Sequence, residues 1–270
     1  MAHAKFDFTG EVVVISGASR GIGRTMASQF SKANATVIAI DRDSEGLEQT
    51  KQLVPQCHIR SVDIRNRDEV HQLMRYIKDT FGRLDVCINN AAIAPHAALE
   101  TYPELVWERV YDVNCKGTFL MTRESSNVMK DLNTAGAIIN FSSAAAMRGS
   151  AGSAAYASSR AAVESFGRVV AIELSPYRIR VNTIRPGLID TQVKPLPQSM
   201  KESLEKRIPT LPMQRPGEPE EVGNVAMFLA SDLASYMTGS VVTVDGGSLC
   251  GTYPSQHVTD DDVRYRWVYE

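Results

Sequence analysis

Glu11-Val12-Val13-Val14-Ile15-Ser16-Gly17-Ala18-Ser19-Arg20-Gly21-Ile22-Gly23 begins as a short apolar, β-branched run and breaks at a cluster of glycines. A helical apolar pattern through Met26, Ala27 and Phe30 follows. The order predicts strand, glycine turn and helix. The spacing Gly17-x-x-x-Gly21-x-Gly23 departs from G-x-G-x-x-G, but the physics is shared. Glycines allow a tight turn and close backbone approach to a pyrophosphate, and a helix starting near Gly21 aims its free N–H groups and positive dipole end at that charge.

Further along the chain the same alternation continues. Strands are predicted at 35–40 (ending at Asp41), 58–62 (ending at Asp63), 84–88 (running into Asn89-Asn90-Ala91-Ala92), 137–141, 180–184 and 240–244. Helical patterns lie between them at 44–53, 66–81, 103–132, 151–174 and 218–229. Strands that are apolar on both faces and alternate with helices imply a parallel sheet covered on each side. Right-handed crossovers make a doubly wound α/β fold the simplest topology. Ligands in such folds bind beyond the carboxyl ends of the strands, where the glycine turn, Asp41, Asp63, Asn90, Ser143 and Pro186-Gly187 fall.

With 43% hydrophobic and 22% charged residues the chain has ordinary globular usage, and its formal net charge of -2 supplies no basic field for nucleic acid or anionic membrane. Small molecules are the expected partners. No apolar run approaches the roughly 20 residues of a membrane span, and the N-terminal stretch has no leader-like core, so a cytoplasmic protein is expected. Cys57, Cys87, Cys115 and Cys250 form no CxxC pair and suggest neither a metal site nor disulfides, only small buried hydrophobes. The reading is of one catalytic domain over 1–251, with a proline-rich lid at about 190–216 and a tail at 252–270. The tail carries Asp260-Asp261-Asp262, Tyr265, Trp267 and Tyr269, for which a solvated role and packing on a neighbouring subunit are both open.

Asp41 ends the second strand, where a carboxylate accepts hydrogen bonds from adenosine ribose hydroxyls and repels a 2′-phosphate, which favours NAD over NADP. Arg20 and Arg42 pull toward a phosphate. Ser143 and Tyr156 are two hydroxyls thirteen residues apart, and Arg160 stands four residues past the tyrosine. On a helix, positions i and i+4 share a face, which would place the guanidinium beside the phenol.

The glycine turn, Asn89 to Ala92, Asn114, Ser143, Tyr156, Pro186-Gly187 and the ending Thr238-Gly239-Ser240 to Asp245-Gly246-Gly247 together resemble the short-chain dehydrogenase/reductase family. The resemblance runs from about Phe8 to Gly247. It implies a Rossmann-type sheet of seven parallel strands flanked by helices, a nicotinamide cofactor, and a homodimer or homotetramer packed through the two long helices and the last strand. In the cofactor site it implies Gly17, Ser19, Arg20, Gly21, Ile22 and Gly23 in the turn, Asp41 and Arg42 at the ribose, and Asp63 and Ile64 at the adenine. It also implies Asn90, Ala91 and Ala92 along the cofactor, Tyr156 and Arg160 at the nicotinamide ribose, and Pro186, Gly187, Ile189 and Thr191 against the nicotinamide amide.

By the same resemblance Ser143 holds the substrate oxygen, Tyr156 moves the proton, and Asn114 anchors a water in a relay. Position 160 is arginine where the family has lysine. Arginine keeps the charge but is larger, planar and never deprotonated, so lowering of the Tyr156 pKa is expected to survive and the proton relay is not. Three readings follow: a working oxidoreductase acting on a secondary alcohol or ketone, the fold used for a cyclisation, dehydration or isomerisation, and a catalytically silent cofactor-binding subunit. His96, Met147, Arg148, Val193, Leu196, Met200 and Leu204 are candidates to line a mid-sized, mainly apolar pocket.

Overall fold

The computed structural model describes residues 5–191 and 198–252. β1 (Val12–Ser16) is buried along its whole length and runs into the glycine turn and α1 (Gly21–Lys32). Then come β2 (Thr36–Asp41), α2 (Ser44–Leu53), β3 (His58–Ser61), α3 (Arg67–Phe81) and β4 (Val86–Asn89). The chain continues through α4 (Glu104–Tyr111), a π-helical turn (Asp112–Gly117), α5 (Thr118–Asp131), β5 (Ala137–Phe141), α6 (Ala154–Leu174) and β6 (Arg180–Pro186). It closes with α7 (Gln198–Arg207), α8 (Pro219–Ala230) and β7 (Val241–Val244).

The seven strands are parallel, in the order β3-β2-β1-β4-β5-β6-β7. The order reverses between β1 and β4, so the crevice for a ligand opens at their carboxyl ends. Asn90 fastens that point: its N–H donates to Ser16 Oγ at 3.1 Å and its Nδ2 donates to Ser16 O at 3.0 Å and Gly17 O at 3.1 Å.

Alternation along the strands divides the core into two layers. Val13, Ile15, Val37 and Ala39 face α1 and α8, meeting Met26, Phe30, Val222 and Ala226. Val12, Val14, Ile38 and Ile40 face α3 and α5, meeting Val70, Leu73, Met74, Ile77 and Met121. The helix α3 shows how local and global signals agree. Asn66 caps it by accepting from Asp68 N and Glu69 N, its apolar residues recur at i, i+3, i+4 and i+7, and Gly82 ends it at φ 66°. Each fully buried apolar side chain on that stripe contributes roughly 1.5–3 kcal/mol over exposure.

Two predicted elements differ from what is observed. The strand at 58–62 was expected to be buried, yet β3 is the sheet edge and mostly exposed, with Val62 just beyond it taking the burial. The helix at 103–132 is broken by the π turn, which its sequence pattern does not announce. Phe119 of α5 and Val169 and Ile172 of α6, on the two long helices, leave large apolar side chains exposed. Cys57 and Cys87 are buried as expected, Cys115 only partly so, and Cys250 is exposed, contrary to expectation.

Candidate active site

The glycine turn is set by close contacts. A Cβ on Gly23 would lie 2.1 Å from Gly17 O and 2.7 Å from Asn90 Nδ2, and one on Gly17, at φ +70°, would lie 2.8 Å from Ala91 Cα. Only glycine fits either place. Arg20, the residue before α1, offers no side-chain cap, so the first N–H groups of the helix stay open toward the crevice.

That crevice is a cleft of about 740 Å³. Of the residues expected at a cofactor, Gly17, Ser19, Arg20, Gly21, Ile22, Asp41, Arg42, Asp63, Ile64, Asn90, Ala91, Ala92, Tyr156, Arg160 and Thr191 line it. Gly23 sits behind the turn as a packing glycine. Pro186, Gly187 and Ile189 also lie off this lining: Pro186 is a buried end of β6, Gly187 packs on Asp245, and Ile189 bridges to Gly217. Asp41 accepts from Ser19 N at 3.3 Å and Asp43 N at 3.1 Å. Asp63 is held by Arg65, which bonds both of its carboxylate oxygens, and that pairing keeps the carboxyl below its ordinary range. A glycine cradle that a Cβ would fill, open helix N–H groups and a carboxylate at the end of β2 fit a dinucleotide.

The other half of the site is built by the end of β5 and the first turns of α6. Ser143 follows β5, and its Oγ accepts from Ala145 N at 3.2 Å, fixing the short turn Ala144–Ala146. Tyr156 lies in the first turn of α6, and the Arg160 Cζ is 5.3 Å from its ring centroid. The shared face expected from the i, i+4 spacing is therefore realised. Burial pushes the Tyr156 phenol up, but the Arg160 charge, together with hydrogen bonds from Ser143 and Arg160, outweighs it and holds the pKa below the ordinary value near 10.

Arg160 is 3% exposed and its Nη1 donates to Phe141 O at 2.8 Å, while its Nε is buried without a partner. One branch of the fork is thus tied to the main chain and the charge faces the phenol. Asn114 sits in the π turn with no exposed surface. Its Oδ1 accepts from Ile93 N at 3.0 Å and its Nδ2 donates to Ile93 O at 3.1 Å and Ser159 Oγ at 3.0 Å. Both Nδ2 protons are used in these bonds, so a water held by that amide, as the resemblance implies, would meet the second lone pair of Oδ1.

Several residues of the site have no place in the sequence reading. Ser142 Oγ donates to Glu164 Oε1 at 2.6 Å, and Arg185 grips the same carboxylate, Nε to Oε1 at 2.8 Å and Nη2 to Oε2 at 2.7 Å. A signal existed: Arg185 is a charge near the end of a largely buried strand, and Glu164 follows Arg160 by one helical turn. His96 and Met147 are exposed, and the loops that carry them are joined by Ala97 N donating to Gly152 O at 3.1 Å. Leu204 is half-buried, whereas Val193, Leu196, the Met200 side chain and the tail residues Asp260-Asp261-Asp262, Tyr265, Trp267 and Tyr269 lie outside the described residues. Among the described residues no group of three or more His, Cys, Asp or Glu side chains is placed to hold a metal ion, and no helix is long and apolar enough to cross a membrane.

Comparison with known proteins agrees with this geometry. The family model described as enoyl-(acyl carrier protein) reductase matches residues 17–248. A 3-oxoacyl-(acyl-carrier-protein) reductase of Thermotoga maritima is 37% identical over 244 residues, 88% of this chain and 97% of that one. An NAD-dependent glycerol dehydrogenase of Listeria innocua is 34% identical over 245 residues, 90% of this chain and 95% of that one. The crystal structure of a short-chain type dehydrogenase/reductase from Mycobacterium marinum superposes with a TM-score of 0.86 at 30% identity, covering 91% of this chain and 98% of that chain. With its strand order, its glycine turn and a tyrosine in the cleft, the chain belongs to the short-chain dehydrogenase/reductase family of NAD(P)-dependent oxidoreductases.

Proposed function

We propose that the protein transfers a hydride between NAD, in preference to NADP, and the carbinol or carbonyl carbon of a mid-sized, mainly apolar substrate. The observation that carries this reading is the Tyr156 phenol in the cleft with the Arg160 guanidinium against its ring. A bound nicotinamide supplies or takes the hydride. Ser143 holds the substrate oxygen by hydrogen bond, and Tyr156 gives a proton to that oxygen in reduction or takes it in oxidation. Arg160 keeps the phenol acidic enough to do so, and a guanidinium, with donors only and no acceptor, does not itself carry the proton.

Asp41 in the cleft supports NAD, because a carboxylate there repels a 2′-phosphate. The NAD-dependent relative from Listeria innocua points the same way. Arg20 and Arg42 are exposed at the same end of the cleft, where solvent weakens their pull on a phosphate. Ile93, Ala94, Val113 and Phe141 supply the apolar wall.

Fluorescence titration with NADH and NADPH, followed by turnover of each against a panel of aliphatic, alicyclic and aromatic ketones, tests the reading. NADH is expected to bind at least about tenfold more tightly, as a charge contact of roughly 1.4 kcal/mol requires, and to be oxidised by at least one ketone. Tighter binding of NADPH would overturn the cofactor choice. Bound cofactor with no turnover on any ketone or alcohol would overturn the hydride transfer.

A further inference from the structure

Glu164 and Arg160 stand four residues apart on one face of α6, where side chains meet, and both are buried, at 5% and 3% exposure. A carboxylate in that place would ordinarily take the guanidinium. Here it is held instead by Arg185 of β6, through two bonds of 2.8 and 2.7 Å, and by Ser142 at 2.6 Å. Arg185 also donates from Nη1 to Thr243 Oγ1 on β7 at 3.1 Å. Ser142 adds a contact to Arg160 O at 3.2 Å, and its N–H donates to Ile184 O at 2.7 Å. One network, buried around Glu164 and Ser142 and exposed at Thr243, thus ties the ends of β5, β6 and β7 to the turns of α6 that carry Tyr156 and Arg160.

We propose that Glu164 and Arg185 are positioning residues for proton transfer at Tyr156. Arg185 occupies the buried carboxylate and so leaves the Arg160 guanidinium against the phenol, and the pair fixes Ser142 and, through it, the adjoining Ser143. This rests on the reading of Tyr156 as the proton donor given above. The charges that bear on the network come from α6 itself (Arg160 and Arg168), from β6 (Arg185) and from Asp245 after β7. The Cys115 thiol of the π turn lies within the field of Arg160, and Ser143 at the end of β5 bonds the phenol. Burial pushes the Glu164 carboxyl up, but the bonds from Arg185 and Ser142 hold it below its ordinary range and keep it ionised.

The test is an ultraviolet titration of tyrosinate on the full-length, cofactor-free protein, with the Tyr156→Phe trace subtracted to isolate one phenol among the nine tyrosines. Arg185→Met leaves the carboxylate uncompensated, and the Tyr156 midpoint is expected to rise by about one pH unit. Glu164→Gln leaves Arg185 uncompensated, and the midpoint is expected to fall by about as much. The double variant Glu164→Gln/Arg185→Met is expected to return to within about half a unit of the parent. A network that merely holds the fold would move both single variants the same way.

Shifts of the same sign, or midpoints unchanged in both single variants, would overturn the proposal. Should Arg185→Met fail to fold, the downward shift in Glu164→Gln and its reversal in the double variant decide the matter. The titration needs no turnover, so undiminished activity in Tyr156→Phe would overturn the functional reading separately.

Discussion

The Arg160 guanidinium faces the Tyr156 ring at 5.3 Å and is anchored through Nη1 to Phe141 O at 2.8 Å. Its role is therefore that of a fixed charge. For alcohol oxidation Tyr156 must be ionised to take a proton, so the rate rises as pH climbs through the phenol pKa. That pKa is held below the ordinary 10.0 by Arg160 and the Ser143 bond against the opposing effect of burial. Ketone reduction needs the neutral phenol and falls over the same interval. In Arg160→Met burial acts without the opposing charge, so the rise in oxidation is expected to move upward by at least about one pH unit. Arg160→Lys, which restores an ammonium, is expected to keep it near the parent value. The pH dependence of kcat/KM checks both, and a profile unchanged in Arg160→Met would remove the arginine from the chemistry. The pairing of Tyr156 with Arg160 was legible in the sequence because four residues on a helix fix a shared face. The partner of Glu164 was not, because Arg185 reaches it from a strand and only the packing of α6 on the sheet brings them together.

The strands and helices were mostly legible for a local reason: apolar runs, caps and glycines coincide with their ends, as at Asn66 and Gly82 of α3. The π turn of Asp112–Gly117 was not, since its extra residue is accommodated through the Asn114 bonds to Ile93 and Ser159, which are tertiary. Likewise β3 read as buried because an apolar pattern does not say which strand will lie at an edge. Glycines in the first turn of α1 and after α3 differ in a way that can be measured. Gly82 has φ +66° and open space around a would-be Cβ, so Gly82→Ala is expected to lower stability by about 1 kcal/mol through backbone strain alone. At Gly23 the added carbon would lie 2.1 Å from Gly17 O, and Gly23→Ala is expected to cost about 1–3 kcal/mol and to weaken NADH binding at least about tenfold. Urea unfolding and NADH titration separate the two; equal NADH affinity in both variants would mean that the turn does not shape the cofactor site.

Across the whole molecule, a parallel sheet between two helical layers gathers groups scattered from Gly17 to Thr191 at one edge. The topological switch between β1 and β4 puts the glycine turn beside Asn90, and the step from β4 to β5 carries the site on to Ser143 and α6. The sequence order of these groups was enough to expect the cleft, because a doubly wound fold has one place to put them. It was not enough to expect which of them face it: Pro186, Gly187 and Ile189 lie off its lining, for side-chain direction at the end of β6 depends on the packing of Asp245 and Gly217. The assignment of proton transfer to Tyr156 is tested most directly by comparing turnover of the protein and its Tyr156→Phe variant with NADH and a reducible ketone, while NADH affinity is followed in parallel. The variant is expected to bind NADH as the parent does and to turn over at least about a hundredfold more slowly, the scale that a positioned acid supplies; equal turnover at equal affinity would contradict it.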